Sequence, residues 1–337
     1  MKKLLALTLA LLMALSLSAC GKEIKKDKKD ETNTTTTATV TESQAATETQ
    51  TQGEPSVITP LLYKVTDKDG DTIWLFGSIH IGEEYMYPLP DYIYNAFDSS
   101  DYLAVECDVV AAEEDLEATQ ALLMKLIYLD GTTIKDHVSE EVYEGGVEIL
   151  TEMGIYNSFL DYYMPSMWST LFDQTSIEYF GFDMLLGVDR HLMARAEEKG
   201  IDLVEIESMD AQYQMMADYS EELQELLLEG SIESYKDEEV KENMNELLKS
   251  WCKGDETELV KILAEEDDTI EPDEMEYYEE YQKAMMTDRN LLMTDFAEDA
   301  LKNSEEAFIT VGAAHIIGEG GIADQLEKRG YTVEVVK

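Results

Sequence analysis

Positive charge is what this 337-residue chain has least of: 25 Lys and Arg stand against 73 Asp and Glu, for a formal charge of −48. Such a surface repels DNA, RNA and anionic lipid headgroups, which excludes nucleic acid as a partner. Most of these carboxylates read as solvated helix faces. Cysteine is nearly absent, with three residues in all. If Cys20 is modified, only Cys107 and Cys252 remain, so one disulfide stays possible and a disulfide framework does not. Beyond Leu17 no apolar run reaches the roughly 18 residues that cross a bilayer. There is no Cys-x-x-Cys, His-Glu-x-x-His, Gly-x-Gly-x-x-Gly, Walker or Gly-x-Ser-x-Gly pattern, which removes several common enzyme classes. Histidine is scarce too, four in all, and this scarcity makes their positions informative.

What is present begins with a leader. Lys2 and Lys3 precede an apolar run from Leu4 to Leu17, and Leu17-Ser18-Ala19-Cys20 follows. A basic start, an apolar stretch of this length and small residues before a cysteine describe a bacterial lipoprotein signal over residues 1–20. Cys20 becomes the lipidated first residue of the mature chain, and the protein is placed outside the cytoplasm on the cell membrane. Loss of Lys2 and Lys3 takes the charge from −48 to −50. Residues 21–56 hold a mixed-charge run and then a stretch, Thr32 to Thr51, in which ten of twenty residues are Thr. Such a segment has little to bury and reads as a disordered tether. A flexible chain of that length reaches roughly 30–35 Å.

Residues 57–337 read as a single α/β domain. LLYKVTDKDGDTIWLFGSIH is two apolar, β-branched runs around Asp-Lys-Asp-Gly, a hairpin signal. A short helix near Asp91 to Phe97 and a strand DYLAVEC follow. VDRHLMARAEEKG predicts a helix stopped by Gly200, leading into a strand IDLVEIES. The C-terminal part predicts a helix DRNLLMTDFAEDALKN, a strand EEAFITVG, a loop carrying His315, a helix IADQLEKRG and a strand YTVEVV. Alternation of this kind points to a mixed, partly parallel sheet. Residues 111–180 and 208–283 are acidic, rich in Met and Tyr and helical in spacing, and predict a helical layer over the sheet, with the Met and aromatic positions as core.

Two of the four histidines share one arrangement. Gly77-Ser78-Ile79-His80 ends the apolar run from Ile73, and Gly312-Ala313-Ala314-His315 ends the run from Ile309. Each reaches another glycine within three residues. In an open α/β sheet ligands sit beyond the carboxyl ends of strands. Gly77 and Gly312 permit a tight turn and leave room beside the imidazole. Glu106 ends LAVE, and Glu205 or Glu207 ends LVEIE, so the same rim gathers two imidazoles and at least two carboxylates. Neutral imidazoles with carboxylate oxygens suit Mn, Co or Zn, and a remaining carboxylate suits a general base on bound water. A lone strand-end histidine is more often a hydrogen-bonded structural residue, but the repetition favours a site. Glu106 equally suits pairing with an Arg. His137, in a polar stretch, reads as solvent-facing, and His191 as surface or structural. Arg289, next to Asn290 at a helix start, suits clamping a carboxylate of substrate or enzyme, or offsetting the negative field.

With these motifs in place, LFGSIHIG, LAVE, GVDRHLMARAEEKGIDLVEIESMDAQ, DRNLLM and VGAAHIIGEGGIADQLEKRGYTVEVV resemble the TraB/GumN family, which includes the Tiki proteins. The resemblance spans nearly all of residues 60–337. It implies an erythromycin-esterase-like α/β fold of two related halves with a helical cover. The Tiki branch implies membrane-tethered, metal-dependent proteases of secreted peptides, with Mn or Co favoured; the TraB branch implies limiting a peptide pheromone. Carried over residue by residue, it marks Gly77, His80, Glu106, Gly312 and His315 as the site. Glu207 stands where the family usually shows Leu-Glu-Thr, here Ile-Glu-Ser. Arg289 and Asn290 match an Arg-Asn pair, and Asp189 a less distinctive acidic position.

The function expected is a lipid-anchored metallopeptidase: His80, His315 and Glu106 on the metal, Glu207 activating water, and Arg289 on a substrate carboxylate or the developing oxyanion. Two other readings stand beside it, a lipoprotein that sequesters a peptide without turnover, and a metal-free hydrolase with histidine as base.

Overall fold

The computed structural model of the chain describes residues 57–263, 271–272 and 274–336. The leader, Cys20 and the threonine-rich segment lie outside the described residues. Six strands form one sheet in the order β4-β3-β5-β2-β1-β6: β1 Leu62–Thr66, β2 Thr72–Ser78, β3 Tyr102–Val105, β4 Asp202–Glu205, β5 Ala307–Gly312 and β6 Thr332–Val336. The neighbours β4, β3, β5 and β2 run parallel, whereas β1 is antiparallel to both β2 and β6.

The hairpin falls where the sequence placed it. Asp67 Oδ1 accepts from the backbone N–H of Asp69, Gly70 and Asp71 at 2.8–2.9 Å, and Gly70 takes a φ of +98° that other residues rarely adopt. β5 is buried at all six residues, as expected of a parallel strand covered on both faces, while the edge strands β4 and β6 are partly exposed. The Gly-x-x-His strands β2 and β5 are therefore direct neighbours, paired from Trp74↔Phe308 to Ser78↔Gly312.

Helix α1 (Asp91–Asp98) joins β2 to β3 and sets Phe97 against Phe308 with ring centroids 5.3 Å apart. The region 111–180 is broken into α2 (Val109–Glu114), α3 (Leu116–Lys125), α4 (Glu140–Glu152) and α5 (Pro165–Phe180). Side-chain caps at Asp108, Asp115 and Ser139 and a proline at the first position of α5 mark the breaks. Helix α6 (Val188–Lys199), ended by Gly200 in the left-handed conformation, leads into β4. Then come α7 (Met209–Ala217), α8 (Glu221–Ser234), α9 (Glu238–Lys253), α10 (Glu256–Leu263) and α11 (Met275–Gln282). A π-helical turn, Lys283–Thr287, precedes α12 (Asp288–Lys302), and α13 (Ala313–Ile316) and α14 (Ile322–Lys328) join β5 to β6.

The helical cover has a core of its own, in which Leu150, Trp168, Phe172 and Leu228 meet. It is tied to the sheet by Trp251 of α9, whose ring lies edge-on to Phe76 and whose indole N–H donates to the carbonyl of Gly77 at 2.8 Å. Cys107 and Cys252 are both buried and free, so the disulfide the sequence left open is not formed.

Candidate active site

The four parallel strands end on one rim, and the chain's turns there carry the chemistry. Beyond β3 and β4 the backbone ladder continues: Ile206 N–H donates to the Val105 carbonyl and Glu207 N–H to the Glu106 carbonyl, each at 2.8 Å. That continuation sets Glu106 and Glu207 side by side. Two carboxylates buried together repel, and Arg289 separates them. Its Nη2 donates to Glu106 Oε2 at 2.7 Å and to Glu207 Oε2 at 2.8 Å, and its Nε donates to Glu207 Oε1 at 2.9 Å. All three side chains are buried, at 8% exposure or less. The two carboxylates outweigh the effect of burial and hold the guanidinium charged. Glu106 is ionised as well: burial raises its pKa, but Arg289, then His315 and His80, and the Gly312 N–H at 2.6 Å from Oε1 bring it down to about 2.

The sequence left open whether Arg289 would clamp a carboxylate of substrate or of the protein itself. The structure places it on the protein's own pair. Glu205 is excluded from the cluster; it is exposed and accepts from the Asp108 N–H. Glu207, assigned to water activation, is bound through both oxygens to Arg289 and also accepts from Gln212 at 3.1 Å.

Asn290, the next residue of α12, serves the second histidine. Its amide N–H donates to the Gly320 carbonyl at 3.0 Å, which turns Oδ1 to His315 Nδ1, 2.7 Å away. A carbonyl oxygen only accepts, so His315 carries its proton on Nδ1 and leaves a lone pair on Nε2. Nε2 is fully buried, has no hydrogen-bond partner and stands 3.9 Å from Glu106 Oε1. Burial first, then the charge of Arg289, push the His315 pKa down to about 3. His315 is neutral at any ordinary pH. It sits in α13, a single helical turn rather than the loop the sequence suggested.

His80 has the opposite surroundings. Its Nδ1 lies 3.2 Å from Asp189 Oδ2, an ionic contact out of line for a hydrogen bond, and its Nε2 is buried without a partner. Burial alone would lower its pKa, but Asp189 and, further off, Glu106 outweigh it and raise it above the ordinary value. Asp189 lies in the first turn of α6, which is anchored to the histidine loop by the Val188 N–H on the Ile79 carbonyl at 2.9 Å. Sequence reading gave Asp189 little weight, because nothing local links it to a histidine more than a hundred residues away.

The room at Gly77 serves a different neighbour from the one expected. A Cβ there would come within 2.9 Å of Ala313 Cα, so the glycine lets β2 and α13 touch. At Gly82 a Cβ would fall 2.0 Å from the Leu186 carbonyl oxygen, against which the His80 loop is held by a Gly82–Asp183 bridge. Gly312, at φ −50°, instead contributes its N–H to Glu106.

The other histidines are structural. His191 Nε2 meets the Tyr94 hydroxyl at 2.8 Å beside Tyr87. His137, read from sequence as solvent-facing, is 14% exposed at the side chain, stacked on Tyr128 and bound to Thr132 and Glu221, so packing overrides the polar sequence around it.

A small cavity of about 40 Å³ opens beside His80 and Gly312, walled by Leu247, Trp251 and Leu259; it has room for a water or two. Among the described residues no group of three or more His, Cys, Asp or Glu side chains is arranged to hold a metal ion.

The model of a family described as TraB/PrgY/gumN matches residues 61–335. The proteins named "Uncharacterized protein YbaP" of Escherichia coli (strain K12) and of Shigella flexneri are each 28% identical over 153 residues, 42% of this chain and 50% of the relative. The chain thus spans about half the length of the curated relatives it matches. No solved structure matches it.

Proposed function

The chain belongs to the TraB/PrgY/gumN family, and from that premise we propose that it is a metal-dependent hydrolase of secreted or surface peptides, held to the outer face of a bacterial membrane by lipid on Cys20. The observation that carries the reading is the pair of buried imidazole nitrogens without protein partners, His80 Nε2 and His315 Nε2, on a rim that also holds ionised Glu106.

The donor types at this rim, two imidazole nitrogens and a carboxylate, are those a divalent cation takes, although as placed no three such groups gather around one point among the described residues. Histidines that bind metal turn their second nitrogen to an oxygen, which fixes the ring and its tautomer. Here Nδ1 of His80 faces Asp189 and Nδ1 of His315 faces Asn290. His80 and His315 would hold Mn, Co or Zn, with Glu106 as the third protein ligand once it turns from Arg289 toward His315. When bound, the cation would supply a hydroxide-like water at neutral pH and polarise the scissile carbonyl. The chain's own residues do the rest. Arg289 keeps Glu106 ionised and holds Glu207 through both oxygens, Asn290 keeps the His315 lone pair outward, and the Gly312 N–H holds Glu106 in place. His80, whose proton affinity Asp189 raises, suits taking a proton from water and returning it to a leaving amine when no metal is bound.

That last capacity favours a second reading, a metal-free hydrolase, because Arg289 and Gly312 already hold both oxygens of Glu106. One experiment separates them. The purified chain is analysed for metal and incubated with a peptide library with Mn, Co or Zn, or with chelator, alongside His80→Ala and His315→Ala. About one equivalent of metal lost in either variant, with cleavage falling at least about 10²-fold, supports the metallopeptidase. Cleavage that survives the chelator supports the second reading. Parent-level cleavage by His80→Ala overturns both. In fractionated bacterial cells the parent is expected with membranes and Cys20→Ala in the soluble fraction; equal partitioning rules out the lipid anchor.

A further inference from the structure

The small cavity of about 40 Å³ beside His80 is walled mainly by carbon. Ser78 and His80 border it on one side, and Ile79, Leu247, Trp251, Leu259, Leu263 and Ala313 form most of the rest. An enclosure of this kind holds water loosely, and an apolar group that displaces such water gains affinity.

The walls are held in place by contacts already described. Trp251 is fixed by its indole N–H on the Gly77 carbonyl at 2.8 Å and by its edge-on packing with Phe76. Ala313 stands as close as it does because Gly77 carries no Cβ, which would come within 2.9 Å of Ala313 Cα. Helix α9 supplies Leu247, and α10 supplies Leu259 and Leu263. Leu247 is 4% exposed and Leu259 2%, so both are packed in the interior, where even one added methylene is felt. The leucines of α10 therefore set how far the pocket reaches.

His80 is at once a wall of this pocket and the imidazole that the hydrolase reading gives to metal or to a proton. In a peptide attacked there, the residue that bears the scissile carbonyl has its Cβ about 2.5 Å from the carbonyl carbon. Its side chain is the part of the substrate that reaches the pocket first. A volume with room for a water or two admits a methyl-sized group, not the four carbons of leucine.

We propose that this pocket takes the side chain of the residue whose carbonyl is cleaved, and that Leu259 and Leu263 restrict that residue to one as small as alanine. The inference names the substrate class of the site above and rests on the hydrolase reading for the bond that is cut.

The test reads specificity and pocket size separately. The full chain, Leu259→Ala and Leu150→Ala are incubated with a random peptide library and Mn, Co or Zn, and the cut positions are identified by mass spectrometry. Leu150 lies in the separate core of the helical cover, so its variant controls for a cavity made elsewhere. Parent and control are expected to cut after Ala at least about tenfold more readily than after Leu, the discrimination that extra carbons bring in an apolar pocket. Leu259→Ala is expected to raise cutting after Leu to the level of Ala or above. Leu263→Ala, half-buried at the end of α10, is expected to shift the preference the same way and serves if Leu259→Ala fails to fold in thermal melts. Turnover is then removed: the metal-free chain, isotope-labelled, is titrated with blocked Gly-Ala-Gly and Gly-Leu-Gly peptides while the NMR signal of the Trp251 indole N–H is followed. The alanine peptide is expected to move that signal in the parent, and both peptides in Leu259→Ala. Equal cutting after Ala and Leu by the parent, a preference unchanged in both leucine variants, or an equal response of the parent signal to the two peptides would overturn the proposal. Titrations that differ as expected in a parent that cuts nothing would instead sink the hydrolase reading and leave the pocket assignment standing.

Discussion

The two Gly-x-x-His segments share a pattern, lie on adjacent parallel strands and end on one rim, yet their histidines are chemically opposite. His80 is drawn toward the charged form by Asp189, whereas His315 is held neutral by burial and by Arg289, its tautomer fixed by a partner that only accepts. The motif places an imidazole at a strand end; a residue from a distant helix decides what that imidazole does. α6 brings a carboxylate to one histidine, and α12 brings an amide and a guanidinium to the other. Titratable groups whose environments push them apart divide the labour of a site. A cation on both Nε2 atoms would remove this division, because a ligating imidazole is neutral.

The severest way to break the contrast is to remove the cation beneath it. Arg289→Met leaves Glu106 and Glu207 buried side by side without their shared partner. Removing one member of a buried ionic cluster costs about 3–5 kcal/mol, read as a lowered urea midpoint at neutral pH. The same variant takes from His315 the positive charge that depresses its pKa, so its ring is expected to titrate at higher pH. A loss below about 1 kcal/mol would show that the carboxylates do not depend on Arg289.

A gentler change sharpens the contrast by exchanging the two environments. Asn290→Asp gives His315 the kind of partner His80 has, and Asp189→Asn gives His80 the kind His315 has. In metal-free protein followed by NMR, the His315 pKa is expected to rise from about 3 and that of His80 to fall. Turnover is expected to drop about 10–10²-fold in either variant, the usual effect of losing a residue that orients a site imidazole. Unmoved titrations would mean that burial alone sets the two rings apart.

The sequence made the placement legible and the division illegible. Alternation of strand and helix, the Asp-Lys-Asp-Gly turn and the glycine stop after Lys199 act within a few residues, so the hairpin, α6, β4, β5 and β6 all lie where pattern put them. The motif and the family resemblance also marked Arg289 and Asn290, which the structure joins to Glu106, Glu207 and His315. Trp251 on the Gly77 carbonyl, Asp189 beside His80 and Ala313 against Gly77 are contacts across long stretches of chain. No local period or spacing encodes them. The breaks within 111–180 were missed because single capping residues set them, and helical spacing runs through such residues unchanged.

A third expected effect is on acid stability, where the two histidines pull in opposite directions. The folded-state pKa of His315, about 3, lies below its ordinary 6.5. As pH falls through that window the unfolded chain takes a proton that the folded chain refuses, and stability drops by up to about 1.4 kcal/mol per pH unit. Glu106, lowered to about 2, adds a loss of the same sign below about pH 4.5. His80 is raised, so its contribution is fully present below its unfolded pKa and is lost as pH rises through the folded one. Near neutrality the two rings offset each other; below about pH 5 the His80 term is constant and the other two remain. Urea midpoints of the metal-free chain should therefore vary little from pH 6 to 7 and fall steadily below 5. His315→Gln should flatten the part of the fall that lies above pH 4.5. An unchanged slope in that variant would mean that the ring is protonated inside the fold, and that the asymmetry between the two motifs is absent.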